Sequence, residues 1–145
     1  MYLDEFVSGT VYRLDPILVS EEEIIAFARR FDPQRIHIDA EFAENGPFSG
    51  LIASGYHTLA LAWAGWIRRN ILGDESMGGP GLERVQWLAP VRPGDVLRVE
   101  VTVGDVRPSK TKPRGTVHFH FEVFNQSGVQ VMASDGAALV RIRPT

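Results

Sequence analysis

The chain has 145 residues, 15 basic against 18 acidic side chains, and a formal charge of −3, with 44% hydrophobic and 23% charged residues. That length and balance suit one domain spanning residues 1–145, with a core that needs no covalent staples, and the absence of cysteine removes disulfides, thiolate nucleophiles and cysteine-ligated metals. No long basic run points to nucleic acid, no apolar stretch reaches the roughly 18–20 residues that span a bilayer, and MYLDEFVSGT lacks the features of a secretory signal, so a cytoplasmic protein is expected.

Residues 10–20 (TVYRLDPILVS) predict an edge strand or a bend, because Pro16 cannot donate to a sheet ladder. Residues 20–31 predict a helix. Ser20 and Glu23 form a capping box, the acidic residues 21–23 suit the positive helix N-terminus, and Ile24, Ala28 and Phe31 share one face. Pro33 disfavours helical geometry at Asp32, so the helix stops there. Asp39 is placed as the N-cap of a short second helix that Gly46-Pro47 would end.

Residues 54–71 (SGYHTLALAWAGWIRRNI) predict a long helix with almost no polar face, which must then be buried on nearly all sides. Gly65 in its middle costs about 1 kcal/mol relative to Ala, which suggests close approach by another backbone. Beyond the loop at 74–81 the period becomes two. Leu82 to Ala89 forms a strand that PVRPGD (90–95) turns into the next. Leu97, Val99, Val101 and Val103 alternate with polar residues, as do Val117, Phe119, Phe121 and Val123, and NQSG (125–128) turns into a last strand near 129–141. The sum is an α+β fold. An antiparallel sheet curls around one long helix, and the surface left uncovered calls for a homodimer.

The stretch FDPQRIHIDAEFA places Asp32 five positions before His37. A low-pKa carboxylate beside an imidazole can hold a water, deprotonate it and return the proton elsewhere, although Asp-Pro at a helix end is also common turn chemistry. Ser54-Gly55 opens the long helix. Free N–H groups there favour a developing oxyanion, and Gly55 lets a ligand approach the backbone, while the plainer reading makes Ser54 an ordinary N-cap. A Ser54–His57 nucleophile lacks the flanking G-x-S-x-G pattern. His118 and His120 share a strand face without a matched third ligand, so they are expected to face solvent or a partner rather than a metal. RPSKTKPRG (107–115) is a solvated hairpin tip or a contact for an anionic tail.

Taken in order, these residues resemble the MaoC-like dehydratase family, which includes the (R)-specific enoyl-CoA hydratases. The resemblance rests on Asp32, His37 and Asp39, then Ile52-Ala53-Ser54-Gly55 entering the long helix, then the P-V-x-P-G-D-x-L turn at 90–97. Two positions depart from the common hydratase pattern: Gln34-Arg35 stand where many hydratases have Asn-Pro, and Ser54 where they often carry His. The resemblance implies a hot-dog fold, dimers with one continuous sheet, and active sites at the dimer interface. It also implies reversible hydration of a 2-enoyl-CoA. Asp32 and His37 would activate the water, the N–H of Gly55 would polarise the thioester carbonyl, and Ser54 and Tyr56 would bind the substrate at the helix start. Coenzyme A is then the substrate's handle, and no metal or bound cofactor is called for. The same fold also supports thioester hydrolysis, which would use a carboxylate on the long helix; none lies between Gly55 and Asn70. A non-catalytic acyl-CoA binder is the third alternative, and its mark would be loss of the Asp–His pair.

Overall fold

The structure is a computed structural model describing residues 1–145. Six strands and four helices follow one another as β1 (Val11–Arg13), β2 (Ile17–Leu18), α1 (Glu21–Phe31), α2 (Arg35–Ile38), α3 (Ala40–Glu44), α4 (Gly55–Arg68), β3 (Gly81–Trp87), β4 (Val96–Pro108), β5 (Arg114–Phe124) and β6 (Gln130–Arg141). All strand pairs are antiparallel, in the order β1-β4-β5-β6-β3, with β2 also on β4. The segment at 10–20 is thus two short strands broken at Asp15-Pro16.

Two expectations are corrected by this topology. β3 does not turn into β4. It pairs with β6 at the opposite edge, Trp87 opposite Met132, so PVRPGD is a crossover connection. Its Asp95 is tied down locally, accepting from the Arg92 N–H at 2.9 Å and from Gln126 Nε2 at 2.9 Å.

The inner faces of β4 and β5 follow the period-two pattern. Val99 opposes Val123, Val101 opposes Phe121 and Val103 opposes Phe119, all buried. α4 crosses this face. Trp66 is fully buried, with ring centroids 5.1 Å from Phe119 and 5.3 Å from Tyr12. Truncating such a ring costs about 3–5 kcal/mol, so Trp66 is the anchor that fixes α4 on the sheet.

The second correction concerns α4 itself. His57, Thr58, Ala62 and Trp66 are buried, but Tyr56 (60% exposed), Ala60, Trp63 (43%) and Ile67 (42%) form an apolar stripe open to solvent. The helix is therefore covered on one face only by its own chain. Gly65 does not meet another backbone: a Cβ there would touch Leu14 Cδ1 at 3.5 Å and Ile17 Cδ1 at 3.6 Å, so side chains from β2 and from the link between β1 and β2 approach it. Asn70 then takes a left-handed φ of 59°, the conformation that ends many helices.

Candidate active site

Asp32 sits where α1 stops. Its φ of −156° leaves helical geometry, while its N–H still donates to the Ala28 carbonyl at 2.9 Å. The chain does not continue as a loop. The single turn α2 brings His37 back towards Asp32, so the imidazole rides on a short helix that the sequence did not announce. Asp39 caps α3 through the Phe42 N–H at 3.0 Å and pairs with Arg35 at 3.0 Å, so this second carboxylate serves the local fold.

His37 is 4% exposed. Its Nδ1 lies 2.7 Å from the carbonyl of Ile52. A carbonyl only accepts, so Nδ1 carries the proton and Nε2 is the nitrogen free for other chemistry. Nε2 lies 3.3 Å from Asp32 Oδ2. Asp32 is itself held at both oxygens: Gln34 Nε2 donates to Oδ1 at 2.8 Å and Ser54 Oγ donates to Oδ2 at 2.7 Å. Burial pushes its carboxyl upward, but the bonds from Gln34 and Ser54 and the neighbouring His37 outweigh that and hold it below the ordinary aspartate value. Asp32 is thus kept ionised and pointed.

Ser54 is not the side-chain cap that its position suggests. It occupies the N-cap of α4 and is fully buried, but its hydroxyl faces Asp32 instead of the helix N–H groups. The Ser54 carbonyl takes the N–H groups of His57 at 3.0 Å and Thr58 at 3.2 Å. The N–H groups of Gly55 and Tyr56 are left without a protein acceptor at the positive end of the helix. Gly55 is required sterically as well, because a Cβ there would overlap the indole of Trp87.

A cavity of about 300 Å³ collects these parts. His37 and Gly55 line it together with Phe48, Thr58, Trp87 and Val91. Asp32 and Ser54 adjoin it through His37 without lining it, and Tyr56 lies outside it, with its ring edge-on to Trp87 at 5.3 Å. Three contributors escaped sequence reasoning. Gln34 looked like a departure from a pattern. Thr58 looked like an ordinary helix residue. Trp87 closed a strand that seemed to lead straight into its neighbour. Gln34 bonds to Asp32 two residues away, whereas Thr58 and Trp87 meet the cavity only through the tertiary fold.

The remaining candidates lie apart. His57 is buried, stacked on Phe27 with centroids 4.5 Å apart, and its Nδ1 has no partner. Burial, partly offset by Glu23, holds its pKa below the usual histidine value. With the Ser54 hydroxyl committed to Asp32, no Ser54–His57 nucleophile is formed. His118 and His120 are partly exposed, at 28% and 34%. They pair with Glu83 at 3.0 Å and Asp135 at 2.6 Å on the outer face of the sheet. The basic tip at 107–115 joins the far ends of β4 and β5. Arg114 opposes Arg141, nine register positions along β6 from Met132 beside Trp87, or about 30 Å at the rise of a strand. Within one chain it cannot reach the cavity.

The sequence matches the profile of the MaoC like domain over residues 5–123. It is 36% identical over 141 residues to the uncharacterized protein YdeM of Bacillus subtilis, covering 97% of this chain and 99% of that protein. It is 32% identical over 101 residues to a 3-hydroxybutyryl-CoA dehydratase of Methylorubrum extorquens, a match that covers 66% of this chain and 60% of that enzyme. Among solved structures, a MaoC-like dehydratase from Rhodospirillum rubrum superposes with a TM-score of 0.91 at 35% identity, covering 100% of this chain and 99% of that one.

Proposed function

The chain belongs to the MaoC-like domain family, and from that premise we propose that it is a hydro-lyase that reversibly adds water to a 2-enoyl-CoA thioester to give the 3-hydroxyacyl-CoA. The observation that carries this reading is the 3.3 Å pairing of His37 Nε2 with Asp32 Oδ2, because the imidazole lines the same cavity as the Gly55 helix start. The dehydratase from Methylorubrum extorquens supports the reaction class.

The residues act as follows. The thioester carbonyl accepts from the Gly55 N–H, where the helix end favours negative charge. Water stands at His37. As its oxygen bonds to C3, one of its protons passes to Nε2, the C2–C3 π pair moves towards the carbonyl, and enolate charge builds at the helix start. The ionised Asp32 receives the new N–H of the imidazolium. Nε2 then returns the proton to C2, so one water is added and the side chains are restored. Ser54 and Gln34 act through Asp32, as positioning residues. Dehydration runs the same steps backwards. No step needs a metal or a redox group, and coenzyme A enters and leaves with the substrate. The protein works in the cytoplasm in this scheme; no helix is long and apolar enough to cross a membrane.

The working unit is a homodimer. The stripe Tyr56, Ala60, Trp63 and Ile67 and the free edge strand β3, with Leu82 54% exposed, are surfaces of the kind that pairing covers. Sedimentation at low micromolar concentration should give twice the monomer mass.

The decisive assay follows loss of the conjugated double bond in a panel of short, branched and medium enoyl-CoAs. Turnover of at least one, abolished by His37→Ala in a folded protein, is the expected result. No turnover of any member in either direction overturns the proposal.

A further inference from the structure

The Trp87 indole packs flat on the bare α-carbon of Gly55 and meets Tyr56 edge-on at 5.3 Å. Gly55 and Trp87 line the cavity that holds His37. Tyr56, the very next residue, lines a second cavity of about 420 Å³ on the other side, under α4, whose walls include Leu59, Trp63, Leu82, Phe119 and Phe121. That second space is almost wholly apolar and holds no titratable side chain except the Tyr56 phenol. The two rings therefore form a partition between a site with catalytic chemistry and a larger room without any.

Resting on the hydro-lyase reading, we propose that Trp87 sets the acyl length: its indole stops the chain of the bound thioester at the partition and reserves the site for short acyl groups. The occupant that fits the second cavity is the distal part of a longer acyl chain, because that cavity adjoins the helix start where the thioester is held and offers only hydrocarbon contact. Trp87 is 46% exposed and ends a free edge strand, so its side chain can be shortened without opening the core. A wall of this kind discriminates efficiently, because each methylene accepted or refused in an apolar pocket changes kcat/KM by about 10- to 200-fold.

The test compares wild type, Trp87→Ala and Trp87→Phe on four-carbon and eight-carbon enoyl-CoAs. In parallel, calorimetry measures binding of the unreactive saturated butanoyl-CoA and octanoyl-CoA. Wild type should favour four carbons over eight by about tenfold or more in kcat/KM, and Trp87→Ala should shift that ratio towards eight carbons by about tenfold or more. Trp87→Phe, which keeps a ring in the partition, should stay near wild type. The saturated thioesters should show the same reversal in affinity. A wild type that takes both lengths equally overturns the proposal. So does a folded Trp87→Ala whose ratio moves less than about twofold. The latter is also the result expected if partner side chains, rather than acyl chains, fill the second cavity. Length-dependent binding that Trp87→Ala reverses, without turnover of any enoyl-CoA, would keep the length gate and sink the hydro-lyase reading. Absence of both binding and turnover would sink both.

Discussion

Two histidine–carboxylate clusters stand in this chain, and only the buried one carries the proton transfer proposed above. On the outer face of the sheet, His118 pairs with Glu83 and His120 with Asp135, at distances as short as or shorter than the 3.3 Å between His37 and Asp32. Their side chains are 28% and 34% exposed, and Glu83 is 63% exposed. Water screens such pairs. The His37 ring is 5% exposed, its second nitrogen is fixed by the Ile52 carbonyl, and both oxygens of its Asp32 partner accept neutral donors. Distance does not separate the two clusters. Burial, a fixed tautomer and a neighbouring helix end do.

That contrast can be broken most directly by deleting each imidazole. His37→Ala and Asp32→Asn should each lower turnover by about two to four orders of magnitude, and the double mutant should be little worse than either, since both act on one proton transfer. His118→Ala and His120→Ala should leave turnover at wild-type level. Steady-state rates on all five proteins decide it, and a large loss from either outer histidine would show that the clusters had been misassigned.

The helix end is the next distinction to remove. Gly55→Val should cut turnover by about two orders of magnitude by displacing both the thioester and the Trp87 indole from the Gly55 N–H. The thermal midpoint must be measured beside the rate. A variant that folds normally and keeps full rate would leave burial and the fixed tautomer as the only distinctions of the inner pair.

A smaller effect is expected where the pair is only pointed, not removed. Ser54→Ala takes the donor from Asp32 Oδ2. The carboxyl is held below its ordinary value in the folded protein, so its stabilisation is complete above that value and is lost as pH falls through the folded one. Ser54→Ala should therefore move the acid limb of kcat/KM to higher pH and make stability fall earlier on acidification. A loss of stability of about 1 kcal/mol with an unmoved acid limb would reduce Ser54 to a packing residue.

The smallest expected change concerns His57, the buried imidazole with no carboxylate in hydrogen-bond reach. Its pKa is lowered in the folded state, so its contribution is intact above about 6.5, the unfolded value, and declines as pH drops below it. Thermal midpoints between neutral and mildly acidic pH should fall less in His57→Phe than in wild type, because the ring stacked on Phe27 remains and the titrating group is gone. Parallel curves for the two proteins would mean that acid sensitivity arises elsewhere.

What lay in the sequence is what neighbouring residues decide among themselves. Pro33 stops α1 at Asp32, Asp39 caps α3, period two writes β4 to β6, and the spacing of Asp32 and His37 carries the family resemblance. What the sequence could not give are the partners chosen across the fold. Ser54 reads as an N-cap from its neighbours, yet its hydroxyl belongs to Asp32, 22 residues away. The tautomer of His37 is set by Ile52, 15 residues on. Trp87 covers Gly55 only because β3 pairs with β6 at the far edge of the sheet instead of running on into β4. α4, apolar nearly all round, leaves the stripe through Tyr56, Ala60, Trp63 and Ile67 open to solvent because one sheet can cover only one side of a helix. Local patterns fix φ and ψ within a few residues, whereas these contacts follow from which surfaces must be buried together, and tertiary packing settles that for the whole chain at once.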